Sequence, residues 1–336
     1  MAQHRITESH ELLDKDGKLL ESGWATQPLL KFNPSNAGKG WHRCKWWDFY
    51  GIVNEDFNFN FALADLGYFS LIGYNFLDFT KPKSHKWGTV KLLTRGNLGL
   101  PNSSREGKYT ISTRLAGDVT IERPENKHII TLDSKPMQAN IELTDDPAKD
   151  SMVVATGYGE DPTQFYYNHK KNLIPAQGTL EFKGNTYEIT PEDTYGHYDW
   201  GRGIWPYKTK WYWATGAGWV DRHEVWFNIG YGFGDLSNHT ENMVFYDGKV
   251  HKLDKVTFHP SKAKSKEPWQ FTSNDNRLNL TLKPIVDISG GMNIGFLMTK
   301  SNLVHGVYSG TLILDDGTPI EIEHMHGHAE IIKYRW

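Results

Sequence analysis

The chain has 336 residues, with 37 Lys+Arg against 40 Asp+Glu for a net charge of −3, and a single cysteine, Cys44. A balance this close to neutral argues against partners held by bulk charge, nucleic acid or an acidic membrane, and one cysteine excludes an internal disulfide framework and fits a reducing compartment. No apolar run approaches the roughly 20 residues of a membrane span, and no apolar signal-peptide core follows Met1–Arg5, so the expected location is the cytoplasm.

The remaining composition is unusual, with 13 Trp, 16 Tyr, 16 Phe and 32 Gly. Aromatic residues favour strands, and glycine serves their turns and bulges. In chain order, Glu8 to Leu13 can form one short helix. Lys45 and Asp48 flank Trp46 and Trp47 and are expected to hold the first strand of the N-terminal domain. Phe57, Phe59, Phe61 and Leu63 alternate with polar or small residues, the period of a half-buried strand. Asp65-Leu66-Gly67 then turns the chain into the apolar stretch Tyr68 to Tyr74. Trp211 and Trp213 share one strand face, and after the Asp221-Arg222 turn Val225, Phe227, Ile229, Tyr231 and Phe233 share another. Hairpin turns are expected at Gly184-Asn185, Asp247-Gly248 and Asp316-Gly317. No long stretch has helical periodicity.

An internal repeat organises the chain. Gly178-Thr179-Leu180 opens a hairpin that returns through Gly184 to Glu188-Ile189, and Gly310-Thr311-Leu312 opens one that returns through Gly317 to Glu321-Ile322, 132 residues later. Each is followed by a similar tail, Gly196-His197-Tyr198-Asp199 in the first and Gly327-His328-Ala329-Glu330 in the second. This predicts two similar all-β domains, residues 1–195 and 196–336, with little helix. Such domains must close or cover their sheet edges. An up-and-down barrel does so and can hold one small ligand; a β-sandwich is the alternative.

Several segments resemble known families. Tyr166-Tyr167, the Gly178–Gly184 hairpin and Asp199-Trp200-Gly201 follow in the order seen in the AttH-like and carotenoid hydratase superfamily. More closely, the chain resembles the bacterial family called domain of unknown function 2804. The matching pieces are Gly23–Leu29, Lys45–Tyr50, Asp199–Tyr207, Asn228–Gly230, Thr240–Asn242, Gly327–Glu330 and Arg335-Trp336. The resemblance implies two tandem lipocalin-like barrels packed together, and the wider superfamily binds or transforms apolar ligands. Carotenoid hydratases add water across an isolated double bond. This chain departs from the superfamily motif, having Asp199-Trp200 where relatives have Asp-His, so that acid–base pair does not carry over as written.

The residues offer several sites. His197 and Asp199 share a strand face, and Asp199 under tryptophans is a candidate general acid or base. Arg202, Trp200 and Trp205 lie beside it as ligand contacts; an Asp199–Arg202 salt bridge is the structural alternative. Glu330 is the repeat partner of Asp199, so the two carboxyls would pair if the tails meet between the domains; otherwise Glu330 pairs with Arg335 or a lysine. Glu241 is another possible acid, with Asn228 and Asn242 placed to hydrogen-bond into the lumen. His324, His326, His328 and Glu330 alternate on a face shared with Ile320 and Ile322. Residues four apart on a strand are roughly 13 Å apart, so all four cannot reach one ion; one pair with a ligand from elsewhere could. A hydrogen-bonded polar rim, with His328 touching ligand, is the preferred reading. No metal and no cofactor is expected, and no P-loop, G-x-S-x-G elbow or dinucleotide fingerprint occurs.

Three functions compete. The first is a hydratase, lyase or isomerase for an apolar unsaturated lipid or isoprenoid-like substrate, with Asp199 as acid, His197 orienting it or activating water, and Trp200, Trp205, Trp211 and Trp213 around the ligand. The second is a non-catalytic carrier of a lipid or polyisoprenoid. The third is a carbohydrate-active protein using tryptophan stacking and a carboxylate pair. The partner in each case is a small ligand in a barrel or interdomain cavity; the oligomeric state is not readable.

Overall fold

A computed structural model describes residues 3–38, 43–293, 295 and 297–335; Trp336 of the C-terminal family-like pair lies outside them. Apart from one 3-10 turn at Pro34–Asn36, the regular secondary structure of the described residues is all strand, in two antiparallel sheets. The first is built from β1 (Gly23–Ala25), β2 (Cys44–Val53), β3 (Phe57–Asp65), β4 (Phe69–Asp78), β5 (Lys83–Leu92), β6 (Gly107–Thr113), β7 (Gly117–Arg123), β8 (Lys127–Ser134), β9 (Met137–Thr144), β10 (Met152–Gly157), β11 (Phe165–Phe182), β12 (Asn185–Ile189) and β13 (Tyr195–Ile204). The second holds β14 (Lys208–Val220), β15 (His223–Tyr231), β16 (Met243–Tyr246), β17 (Lys249–Lys252), β18 (Val256–His259), β19 (Trp269–Ser273), β20 (Leu278–Asp287), β21 (Gly290–Asn293), β22 (Met298–Ile313) and β23 (Pro319–Arg335).

The two sheets repeat one plan. Their orders are β5-β4-β3-β2-β13-β11-β9-β8-β7-β6 and β17-β16-β15-β14-β23-β22-β20-β19-β18. In each, the last strand is inserted between the opening meander and the long strand that precedes it. Each sheet curls around its own apolar core, as in a lipocalin-like barrel. The hairpins read as a repeat are β11–β12 and β22–β23, and their tails lie on β13 and β23, which hold the same place in the two orders. A boundary at residue 195 would cut off β13, which pairs with β2 and β11 in the first sheet. The crossing comes at Trp205-Pro206-Tyr207, before β14.

The turns read at Asp221-Arg222 and Asp247-Gly248 form as expected, whereas the one read at Gly184-Asn185 falls one residue earlier, at Lys183-Gly184, because Asn185 already pairs with Phe182. Asp247 and Gly248 both have positive φ, 46° and 74°, as a two-residue hairpin of this twist requires. Asp221 and Arg222 adopt the same sign, 50° and 72°, without a glycine. Glu8 to Leu13 is not helical: Glu11 bridges Lys31, and Leu13 bridges Leu19. A helix that short is marginal, and extended backbone lets both Leu12 and Leu13 bury against the first core.

β13 is buried along its whole length. Tyr198, Trp200 and Ile204 join the core of the first sheet. Arg202 lies on this same face, with its guanidinium 4.8 Å from the Trp46 ring centre and 4.3 Å from that of Trp200. It donates to Asp48 Oδ1 at 3.1 Å, to the Pro101 carbonyl at 2.6 Å and to the Trp47 carbonyl at 2.9 Å. Asp48 also accepts from Tyr109 at 2.8 Å and from Arg123. Burial alone would push the Asp48 carboxyl up, but Arg123 and Arg202 hold it below its ordinary range. Arg202 and Trp200 therefore face the first core and not a ligand, and Arg202 pairs with Asp48 instead of Asp199. Alternation along the strand turns residue 199 to one side and residues 200 and 202 to the other.

Asp48→Ala would leave two buried guanidinium groups without their carboxylate. It should destabilise the protein by about 3–5 kcal/mol, read as a lowered denaturation midpoint with an unchanged m-value.

Candidate active site

A cavity of about 250 Å³ lies between facing surfaces of the two sheets. Trp47 and Phe49 of β2, Ala62 and Ala64 of β3, Tyr166 and Lys170 of β11 and Asp199 of β13 form one wall. Trp211 and Trp213 of β14, Leu303 and His305 of β22, and His328, Glu330 and Tyr334 of β23 form the other. Trp205, from the crossing between the sheets, stands edge-on to Trp47 at 5.1 Å and to Trp211 at 5.7 Å. Leu71, 41% exposed, marks the rim. The space is therefore between the sheets, outside either barrel lumen.

The polar groups gather around one ammonium. Lys170 Nζ is 3.2 Å from Glu241 Oε2, 4.0 Å from Asp199 Oδ2 and 4.2 Å from the Trp213 ring centre. Asp199 Oδ1 accepts from Trp47 Nε1 at 2.9 Å and from Asn168 Nδ2 at 2.6 Å. Glu330 Oε1 accepts from Trp211 Nε1 at 2.7 Å. Asn228 accepts from Trp213 Nε1 at 2.7 Å and donates to Glu241 Oε2 at 3.1 Å. Strand register builds this directly: Lys170 is opposite Asp199 across β11–β13, and Trp213 is opposite Glu330 across β14–β23. Gly201 makes the Trp47–Asp199 contact possible, because a Cβ there would fall 1.8 Å from the indole ring.

Lys170 thus serves two carboxyl groups, Asp199 and Glu241, beside a third, Glu330, in a site walled by aromatic rings. Burial raises Glu330 most; the Trp211 hydrogen bond and Lys170 oppose it, and Asp199 and Glu241 add to it, leaving its pKa at about 7. Asp199 is also raised, chiefly by burial, against the pull of Lys170 and its two hydrogen bonds. Burial pushes His328 well below its ordinary range, His305 to about 3 and His197 to about 4, so all three imidazoles are neutral at pH 7.

Of the residues singled out in the sequence, Asp199, Glu330, Trp205, Trp211, Trp213 and His328 line the cavity. Glu241 and Asn228 stand behind it, joined through Lys170 and Trp213. Asn242 fixes backbone: it accepts from Gly230 N at 2.7 Å and donates to the Asp254 carbonyl at 2.8 Å. His197 shares the Asp199 face, yet neither ring nitrogen has a hydrogen-bond partner. It lies against Phe49 at 5.6 Å and His328 at 6.1 Å, over Gly51, whose missing Cβ makes its room. An Asp199–His197 hydrogen bond is therefore absent, since Trp47, Asn168 and Lys170 take the carboxylate.

The histidine row of β23 divides. An extra residue between Ile322 and Met325, opposite Tyr308–Gly310 of β22, reverses the alternation. Ile320 and Ile322 consequently lie in the core of the second sheet, while His328 and Glu330 face the first. His324 and His326 both meet Glu55. The sequence reading missed Lys170, Asn168 and Trp47. A signal for two of them was present: Tyr166, Asn168 and Lys170 alternate along one strand beside the tyrosine pair.

Fold and site together define a two-barrel β protein with an acid-lined aromatic cavity between the barrels. The chain belongs to the family described as domain of unknown function 2804, which matches residues 3–336. No curated protein sequence matches it. Its structure is similar to that of a candidate AttH from Nitrosomonas europaea, at 12% identity and a TM-score of 0.56, covering 91% of this chain and 98% of the other. It is also similar to kievitone hydratase from Nectria haematococca, at 12% identity and a TM-score of 0.53, covering 87% and 88%. At this identity the likeness is one of fold.

The Glu330 carboxyl binds its proton more tightly in the folded chain than at its ordinary value of 4.5. Its contribution to stability is therefore full below about pH 4.5 and lost as pH rises through about 7. The unmodified protein should lose stability relative to Glu330→Gln across that window, by on the order of 3 kcal/mol, measured by denaturant unfolding at stepped pH.

Proposed function

We propose that the protein is a hydratase, lyase or isomerase acting on a carbon–carbon double bond of an apolar, isoprenoid-like substrate. The observation that carries this reading is the Glu330 carboxyl, held near pKa 7 on the wall of an aromatic cavity with Asp199 and Lys170 close by. A group ionising near the working pH is suited to general acid catalysis. Glu330 gives its proton to one alkene carbon, and the cation formed at the neighbouring carbon is faced by the rings of Trp205, Trp211 and Trp213. Water attacks that carbon and passes its proton to Asp199, and transfer of one proton back to Glu330 completes net addition of water. The reverse sequence is dehydration; loss of a different proton from the cation is isomerisation. The resemblance to carotenoid hydratases, and the fold shared with kievitone hydratase, agree with this chemistry. A sugar fits less well, because most of its hydroxyls would find no partner in walls this apolar.

The test is turnover of a panel of isoprenoid alkenes and tertiary alcohols in ¹⁸O-labelled water. Glu330→Gln and Asp199→Asn should each lower kcat by about 10²–10⁴-fold with the fold intact. Activity should be present below about pH 7 and fall above it, as Glu330 loses its proton. Full activity in both variants would remove the catalytic reading. Native mass spectrometry of purified protein separates a carrier: an unmodified lipid, retained equally by Glu330→Gln, favours carriage.

A further inference from the structure

Glu55 stands in the turn between β2 and β3, which Asn54 fixes by accepting from the backbone N–H of Asp56 and of Phe57, each at 3.0 Å. His324 and His326 approach it from β23 of the second sheet. Both Nε2 atoms lie 3.1 Å from the same carboxylate oxygen, Oε2. All three donor atoms fall within 4.8 Å of one another, and among the described residues no other His, Cys, Asp or Glu group converges in this way. His197, His305 and His328 also face one another, but their nitrogens do not gather at a point. The His326 ring is fixed in orientation by stacking on Phe79, at 4.9 Å and 9°. Its side chain is 7% exposed, whereas His324 is 57% and Glu55 74% exposed.

Two N–H groups donating to one carboxylate oxygen would account for the contacts alone. The donor set says more. Around a tetrahedral zinc ion, with bonds of about 2.0–2.1 Å, ligand atoms sit about 3.3–3.4 Å apart. The two His–Glu separations need to open by a few tenths of an ångström, and the two histidine nitrogens, within 4.8 Å of each other, need to settle at the same spacing. Two imidazoles and one carboxylate are a set that zinc accepts with a fourth position left for water, and two of the three ligands here, His324 and Glu55, are open to solvent. We propose that Glu55, His324 and His326 bind one divalent transition-metal ion of the zinc class, bridging the two sheets. His328, two residues along β23 from His326, lines the cavity. The ion would thus clamp the sheets beside the cavity wall.

The experiment uses the full chain stripped with a chelator, then titrated with Zn²⁺ by calorimetry and with Co²⁺ by visible absorption at pH 7.5. One site per chain with a Kd of about 1 µM or tighter, intense four-coordinate Co²⁺ bands, and a raised melting midpoint in excess Zn²⁺ are expected. His324→Ala, His326→Ala and Glu55→Gln should each weaken binding about tenfold or more. His324 and Glu55 are exposed, so those two variants should keep the fold, as checked by circular dichroism. No binding, or undiminished affinity in the His324→Ala/Glu55→Gln double variant, would overturn the site and leave the cluster a hydrogen-bonded contact. Neither result bears on the reading of Glu330, which is tested by turnover.

Discussion

Strand β13 is buried on both faces, and the rest of the arrangement depends on which residues take which side. A strand inside a sheet cannot rotate, so alternation is binding. On one side Trp200 and Arg202 complete a buried charge network with Asp48 and Arg123. On the other, Asp199 enters a cavity shared with the second sheet. Slipping the register by one residue would put Asp199 into the first core and Arg202 into the cavity, with both losing their partners. Gly201 belongs to the same constraint: it faces the cavity side, where only an absent side chain admits the Trp47 indole.

The network around Asp48 is what allows the cavity side to be electrostatically unbalanced. In the first core, two guanidinium groups meet one carboxylate, helped by Tyr109 and several carbonyls, and Arg202 is held there, away from the cavity. Had Arg202 reached Asp199, that carboxyl would have been held ionised and the pKa of Glu330 would have had one more cation to lower it. Because Arg202 is taken by Asp48, Lys170 is left to serve Glu241 and Asp199, and Glu330 keeps only a hydrogen bond from an indole. Desolvation by the surrounding rings then decides its protonation.

The all-β fold was legible because alternation and turn chemistry are local: Phe57 to Leu63, the Asp247-Gly248 hairpin and the paired Gly-Thr-Leu hairpins could be read without knowing what they pack against. The repeat correctly placed Asp199 and Glu330 on equivalent strands. What stayed hidden was non-local. Nothing near Arg202 announces that Asp48, 154 residues away, will claim it. The one-residue bulge in β23 breaks the alternation that put Ile320, Ile322, His326 and Glu330 on a single face. Glu8 to Leu13 is extended and not helical because Glu11 and Leu13 find bridge partners in Lys31 and Leu19, outside the window of a local helical pattern. The burial of Lys170 is not legible from sequence, because a lysine in a strand reads as solvent-facing and this one is buried by the second sheet and its partners.

The repeat also explains why two carboxyl groups in equivalent places differ. Across β11–β13, Asp199 is opposite Lys170; at the matching position across β22–β23, Glu330 is opposite Leu303. On their other sides the two are opposite Phe49 and Trp213, both aromatic. The neighbours of the two carboxyls therefore differ most in one respect, a cation against an isobutyl group. Asp199, with Lys170 beside it and two hydrogen bonds on Oδ1, is the better placed to carry charge; Glu330, with neither, is the better placed to carry a proton. An acid and a base need environments that set their proton affinities apart. Here a near-symmetric scaffold gives two equivalent carboxyls different surroundings, Lys170 and Asn168 beside Asp199 against Leu303 beside Glu330, with the fold common to both halves left unchanged.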